Sequence, residues 1–292
     1  MQLCIFNPEH DLCLAKGRVH YVPPRSAVEF ARRDAAVMQV LYPGACCRSV
    51  YDLPVRADLP SPFDSVVAWG WDAVVRHELL KRGVDGTLLP SEATIEAIRA
   101  LQHRTTVLPL QPDCREVRSV AEAETLLRGC RHWVLKAPWS GAGRGLRWVH
   151  GTLTDIDRHW IEKTAASQRC VIAEPRREVF ADLALEYLDG IFAGYSLFRT
   201  GSGVYKENVM WTDSRIEAEF ATTGLQSARQ GVEAWLATNV WPRYRGPLGI
   251  DLMVCPDGSV HVAEMNVRHT MGMIAHRRIA NAEQTLLNHA DS

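Results

Sequence analysis

No apolar stretch in this 292-residue chain approaches the roughly 18 residues needed to cross a bilayer. The apolar start, Leu3–Phe6, is short and runs straight into Asn7-Pro8-Glu9-His10-Asp11, so neither a secretory leader nor a membrane partner is expected. No basic block is present either. The 33 basic residues meet 34 acidic ones, giving a formal net charge of −1. Nucleic acid as a main partner requires concentrated Lys and Arg, and Arg176-Arg177 is too short a cluster to supply it. The eight cysteines (Cys4, Cys13, Cys46, Cys47, Cys114, Cys130, Cys170 and Cys255) show no Cys-x-x-Cys spacing. That argues for reduced, mostly buried thiols in a cytoplasm and against a structural zinc site. Internal repeats and low-complexity segments are missing. What remains, 47% hydrophobic and 23% charged residues, is an ordinary globular composition with length for one large or two to three small domains.

The first ninety residues alternate. Strands are predicted at Leu3–Phe6, Cys46–Val50, Ser65–Ala68 and Thr87–Leu89, with helices over Ala27–Leu41 and Ala73–Arg82, the latter stopped by Gly83. Pro54–Pro62 reads as a loop. This pattern predicts a small α/β unit with a parallel sheet. Ser91, Ser119 and Thr154 are predicted helix caps, with Glu122 and Asp157 completing capping boxes and Gly129 ending the second helix. Strands follow at Trp133–Ala137, Leu146–Val149 and Val171–Ala173. Then Leu183–Leu188, Phe192–Arg199, Leu248–Cys255 and Val260–Asn266 predict a mostly antiparallel sheet, covered by a helix near Gln226–Thr238 and another after Met271. Gly201-Ser202-Gly203 is a turn.

Two segments carry chemistry. In the first, Asp257-Gly258 sits between two apolar runs, a hairpin signal. A two-residue turn there faces Pro256 with Ser259 and sets Asp251 opposite Glu264. Directly opposed residues have Cβ atoms about 5 Å apart, and two carboxylates that close repel. A divalent cation with oxygen ligands, such as Mg²⁺, would neutralise them; a half-exposed hairpin with charges in water is the alternative. Glu264, Asn266 and Arg268 share one side if the strand continues. In the second segment an apolar run ends at Lys136, followed by the loop Pro138–Gly145 with three glycines and Arg144. Glycines let backbone N–H groups approach phosphate oxygens. The loop leads into a strand and lacks Gly-Lys-Ser/Thr, so it is neither a Walker loop nor a dinucleotide fingerprint.

A strand lysine, a glycine-rich loop and a distant acidic hairpin together resemble the ATP-grasp superfamily over roughly Leu101 to Gly272. The resemblance implies a mixed α/β and α+β chain, with two α+β lobes around a nucleotide preceded by a small parallel α/β domain. Its boundaries would be 1–91 for the first domain, 92–174 for the small lobe and 175–292 for the large lobe. ATP and Mg²⁺ (or Mn²⁺) are the implied cofactors. By the same resemblance Lys136 touches phosphate, Ser140, Gly141, Gly143, Arg144 and Gly145 form a flap over it, and Asp251, Glu264 and Asn266 bind the metal. Arg268 stands near the transferred group. Glu174 falls in the interlobe hinge near the adenine, and Asp182 falls at a ribose-binding acid. Pro175 departs from the usual hinge because it donates no N–H. Arg104 stands where many members have a lysine before the small lobe, with a planar fork in place of an ammonium. Arg199 and Lys206 flank a turn that meets phosphate in related enzymes, or they sit on a solvated hairpin end. Trp139, within the flap, would seal a closed site.

Asn7, Glu9, His10 and Asp11 follow the first strand, and Trp71-Asp72 follows another. Ligands sit at the carboxyl ends of parallel strands, so these residues form the expected substrate pocket, with His10 a candidate general base for an amine. Capped turns and packing tryptophans are the alternative reading of both loops. The resemblance implies an ADP-forming ligase joining a small-molecule or peptide carboxylate to an amine through an acyl phosphate. A kinase of the same fold and a non-catalytic nucleotide-binding protein are the rivals, and homodimer formation is left open.

Overall fold

The computed structural model describes residues 1–54, 63–128, 132–141, 145–201 and 203–290, with side chains described to residue 285. Gly129, Cys130, Gly143, Arg144, Ser202 and most of the Pro54–Pro62 loop lie outside the described residues.

The N-terminal part is built on a three-stranded parallel sheet in the order β2-β1-β3, from β1 (Gln2–Ile5), β2 (Cys46–Arg48) and β3 (Ser65–Ala68). Leu3, Ile5, Val66 and Ala68 point into one apolar cluster, while Cys4, Cys47 and Phe6 point into another on the opposite face. A sheet buried on both faces needs helices on both. These include α2 (Arg25–Asp34) and α3 (Ala73–Lys81), with a 3-10 turn over Ala35–Val40. The Ala27–Leu41 helix is thus two pieces. Thr87–Leu89 is not a strand: Asp85 accepts the Thr87 N–H at 2.9 Å and starts a 3-10 turn over Gly86–Leu88. The loop after β1 is not a loop. It winds into α1 (His10–Lys16), which ends at Gly17 in the left-handed conformation, φ 58°.

After α4 (Glu92–Leu101), capped by Ser91 as predicted, comes a four-stranded antiparallel sheet, β4-β7-β5-β6. Its strands are β4 (Arg115–Val117), β5 (His132–Lys136), β6 (Leu146–His150) and β7 (Val171–Pro175). Helices α5 (Val120–Leu127) and α6 (Asp155–Gln168) pack on Trp133, Leu135, Val149, Val171 and Ala173. Thr154 and Asp157 make the full capping box. Glu122 instead reaches the Arg118 N–H, one residue before the Ser119 cap.

The third sheet has five antiparallel strands in the order β10-β9-β8-β11-β12. These are β8 (Ala181–Leu188), β9 (Ile191–Gly201), β10 (Val204–Val209), β11 (Pro247–Val254) and β12 (Val260–Asn266). Strand alternation divides it sharply. Leu183, Leu185, Tyr187, Leu248, Ile250 and Leu252 pack into the largest core with α7 (Asp213–Glu219) and α8 (Leu225–Asn239). Asp182, Ala184, Glu186, Gly249 and Asp251 therefore face the other way. The last helix, α9 (Met271–Ala290), follows β12. No helix among the described residues is long and apolar enough to cross a membrane.

Candidate functional site

The polar face of the five-stranded sheet can be laid out row by row from its register. Ser196, Ala184, Asp251 and Glu264 form one row, and Gly194, Glu186, Gly249 and Asn266 form the next. The pairing of Asp251 with Glu264 is the one predicted, but the turn is not. Cys255 and Ser259 close a three-residue loop, with Gly258 at φ +81°, and a bulge between Asp251 and Leu252 restores the register. The bulge has a consequence for the face. Val260, Val262, Glu264 and Asn266 have the same parity, so an unbroken strand would turn all four to one side. With the bulge, Val262 enters the core while Glu264 faces Asp251.

β12 is an edge strand, and its exposed backbone is completed by side chains from the end of α4 and the 3-10 turn after it. Gln102 donates to Met265 O at 3.1 Å and accepts from Val267 N at 2.5 Å; Gln111 donates to Val262 O and Ala263 O, at the bulge. These ties bring Arg104 against the Glu264 carboxylate. Its guanidinium lies 2.7 Å from Glu264 and 2.7 Å from Ser140 Oγ, and also donates to Ala137 O and Ser140 O. One arginine thus joins the root of the glycine-rich loop to the acidic hairpin.

Lys136, at the end of β5, forms a 2.8 Å ion pair with Glu174 on the neighbouring β7, and both are nearly buried. Asp182 accepts from Thr200 at 2.7 Å; burial raises its carboxyl, and Lys136 nearby offsets part of that rise. Arg268 donates to Asn266 Oδ1 at 2.8 Å and to Asp11 Oδ2 at 3.2 Å. Asn266 in turn donates to Asp251 Oδ2 at 3.1 Å. Burial pushes the Asp251 carboxyl up to about 8, with Glu264 and Glu186 adding repulsion. Among the described residues no three His, Cys, Asp or Glu side chains gather as a metal cluster. The donor set is two carboxylates and one amide.

Glycine spacing shows how close the loop stands to the N-terminal unit. A Cβ on Gly141 would fall 2.6 Å from Asp11 Oδ2. Trp139 does not cap an open site. Its indole N–H donates to Arg99 O at 3.0 Å, Arg99 stacks over its ring, and its backbone N–H is held by Gln168. Buried in this way, it anchors the loop to α4. Arg199 pairs with Glu207, and both are well exposed. Lys206 lies on the same hairpin, in the β10 bulge beside Gly201.

At the carboxyl end of the parallel sheet, Asn7 bonds Gly70 in both directions and reaches Asp72 at 3.1 Å. His10 Nδ1 stands 3.2 Å from Asp72, which also caps α3. The imidazole is fully enclosed and lies against Gly70, where a Cβ would meet the ring at 2.5 Å. Trp71 packs between the N-terminal core and the largest core. His269 closes the joint: its backbone N–H donates to Trp69 O at 2.8 Å and its ring meets Tyr42 OH at 2.8 Å. Burial drives His269 down to about 4, so it is a neutral tie beside Arg268.

Sequence reasoning missed Glu186. It is buried, accepts from Ser196 at 2.9 Å and Thr270 at 2.8 Å, and burial raises it to about 7. The alternation Asp182, Ala184, Glu186 against Leu183, Leu185, Tyr187 was the available signal.

Three sheets in this order, with a lysine strand and glycine loop facing an acidic hairpin, decide the architecture. The fold is that of the ATP-grasp superfamily. Solved structures match it over almost the whole chain. D-cycloserine synthetase DcsG is 14% identical, with a TM-score of 0.58, covering 98% of this chain and 100% of that one. D-alanyl-alanine synthetase A from Vibrio cholerae is 13% identical, TM-score 0.53, covering 95% and 91%. N5-carboxyaminoimidazole synthetase from Staphylococcus aureus, complexed with ADP, is 12% identical, TM-score 0.53, covering 92% and 70%. No protein-family profile matches the sequence, and no curated protein matches it significantly. At these identities the likeness is one of ATP-grasp fold.

Proposed function

We propose that this chain is an ATP-dependent, ADP-forming ligase that activates a carboxylate as an acyl phosphate for attack by an amine. The observation that supports it most is the Asp251–Glu264 pair on the sheet's polar face, with Asn266 and Arg268 bonded beside it. Solved structures of the same fold include enzymes named as synthetases, one of them holding ADP.

The donor set suits Mg²⁺, which is usually held by one or two carboxylates plus substrate phosphates and keeps several waters. Asp251, raised to about 8 by burial and an opposed carboxylate, is the kind of group a cation would return to its charged form. Bound Mg²⁺ would supply charge neutralisation on the phosphates. To ligate, Glu264 would have to leave Arg104 and the Asn266 amide would have to turn its oxygen from Arg268. Three cations of the candidate site each hold an internal carboxylate: Arg104 with Glu264, Lys136 with Glu174, and Arg268 with Asp11. Nucleotide binding on this reading is an exchange of partners. Lys136, Arg104 and the loop N–H groups from Ser140 onward take phosphate oxygens, and Glu174 and Asp182 take the nucleoside end. Arg268 stabilises charge on the transferring phosphoryl group and then on the tetrahedral intermediate. No covalent enzyme intermediate is required. Asn7, Glu9, His10, Asp11, Trp71 and Asp72 lie on the substrate side.

The test is ADP release against pooled carboxylates and amines, with products followed by mass. ADP, phosphate and a joined product support the ligase. A stable phosphorylated product with no joined partner would make the enzyme a kinase, and nucleotide binding without turnover on any pool would favour a non-catalytic role.

A further inference from the structure

Two histidines face each other at the open end of the hairpin whose tip is the glycine-rich loop. β5 and β6 pair in one unbroken register, from Lys136 opposite Leu146 beside the loop to His132 opposite His150 at the far end. Successive side chains alternate faces. Trp133, Leu135 and Val149 turn into the core under α5 and α6, which puts His132 and His150 together on the other face. Their rings cross at 74° with centroids 4.5 Å apart, and the two Nδ1 atoms are in direct contact. Both residues are exposed.

The backbone beneath the pair is held on both sides. His132 O accepts the Arg176 N–H at 2.8 Å, and His150 O accepts the Thr152 N–H at 2.8 Å. The two side chains therefore start from fixed points and share one space. A ring nitrogen of imidazole carries either a proton or a lone pair. Two such nitrogens in contact leave no room for a proton on each, so at least one lone pair is aimed at the other ring. A shared proton or a metal ion can hold such a pair together. Metal–imidazole bonds of about 2.0–2.1 Å set two ligating nitrogens about 3 Å apart, a small parting that exposed rings can make.

We propose that His132 and His150 chelate a divalent ion of the imidazole-preferring class, Zn²⁺, Ni²⁺ or Cu²⁺, with water in its remaining positions. Imidazole suits these ions, whereas Mg²⁺ takes oxygen. The pair is thus chemically distinct from the oxygen donors of Asp251, Glu264 and Asn266. It is also separate in space from the phosphate end of the cleft: His132 stands four positions along β5 from Lys136, roughly 13 Å at the rise of a strand. An ion there cross-links the base of the hairpin that carries the glycine-rich loop. The inference does not rest on the ligase reading.

The test is a calorimetric titration of Ni²⁺ into the full chain, with excess Mg²⁺ present to occupy oxygen ligands. His132→Asn and His150→Asn should each weaken Ni²⁺ binding at least tenfold. The double variant should lose no more than about twofold beyond either single one, because a chelate is lost with its first arm and the two effects do not add. His20 and His77 also lie ring to ring, with centroids 5.0 Å apart, and supply the control: His77→Asn should leave Ni²⁺ affinity within about twofold. In the unaltered protein, Ni²⁺ should slow amide hydrogen exchange in β5 and β6, a readout that does not depend on a variant folding. Absence of Ni²⁺ binding, single variants with unchanged affinity, losses that add independently, or exchange in β5 and β6 that ignores the ion would each overturn the site.

Discussion

Asp11 and Arg268 are 257 positions apart in sequence, and their side chains meet at 3.2 Å. The contact joins the helix after the first strand to the loop after the last strand, and it puts the N-terminal unit's acidic end beside the acidic hairpin. Arg268→Gln should lower turnover at least 100-fold, about 2.7 kcal/mol, the size expected for losing one donor to developing charge. ADP affinity should change by no more than about twofold. The same variant leaves Asp11 buried without its counter-charge, so its melting temperature should fall. Adding Asp11→Asn should restore the melting temperature and not the turnover. Thermal melts and steady-state rates on the four members of that cycle check both halves.

On the proposed ligase reading, Arg104 would compete with a metal for Glu264. Arg104→Gln removes the competitor, and should tighten Mn²⁺ binding to the nucleotide-free protein several-fold, read from the free-ion signal by electron paramagnetic resonance. Its turnover should fall, because the same guanidinium holds Ser140 and Ala137 O at the loop root. Unchanged or weaker Mn²⁺ binding would show that Arg104 does not guard that carboxylate.

Lys136→Met strands Glu174 in a buried setting. Removing one partner of a buried ion pair typically costs about 3–5 kcal/mol, so the variant should unfold at clearly lower denaturant. The double variant Lys136→Met, Glu174→Gln should recover most of that loss. Nucleotide affinity should stay weakened in both, which separates the phosphate role of Lys136 from its structural one.

Stability of the nucleotide-free protein should fall as pH rises. Burial raises Asp251 to about 8, with Glu264 and Glu186 adding repulsion, and raises Glu186 and Glu9 to about 7 against the hydrogen bonds that favour their charged forms. Unfolded carboxyls titrate near 4. Between that value and 7–8 the folded chain holds more protons than the unfolded chain, so each rise in pH favours unfolding. The effect is absent below about 4 and complete above about 8. Melting curves between pH 5 and 8.5 should show the decline. Asp251→Asn should flatten it and raise the melting temperature at pH 8 by a few degrees while abolishing turnover.

The hairpin shows how far the sequence could be read. Asp251 opposite Glu264 was legible because alternation and a turn signal set a register. The register held for a different reason than expected: the turn holds one residue more, and the bulge takes up the difference. Bulges seldom leave a sequence mark, but apolar Val262 and acidic Glu264 at positions of the same parity were one. The lysine strand, the glycine loop and the parallel sheet at the start were equally legible, since each depends on local pattern. The ion pairs were not. Arg104 with Glu264 and Arg268 with Asp11 span 160 and 257 positions, and only tertiary packing brings them together. The helix at His10–Lys16 was hidden because Pro8 and a run of polar residues read as a turn, while its only fully buried apolar residues are Cys13 and Leu14.

The central claim is that the Asp251–Glu264 face holds a metal–nucleotide complex. Calorimetric binding of a non-hydrolysable ATP analogue, in Mg²⁺ and again in excess EDTA, tests it most directly and needs no knowledge of the other substrates. Binding in Mg²⁺ should weaken at least tenfold in EDTA, and a Glu264→Gln protein should fold normally yet show little difference between the two conditions. Equal affinity in Mg²⁺ and EDTA for the unaltered protein, or a Glu264→Gln variant with full Mg²⁺ dependence, would contradict it.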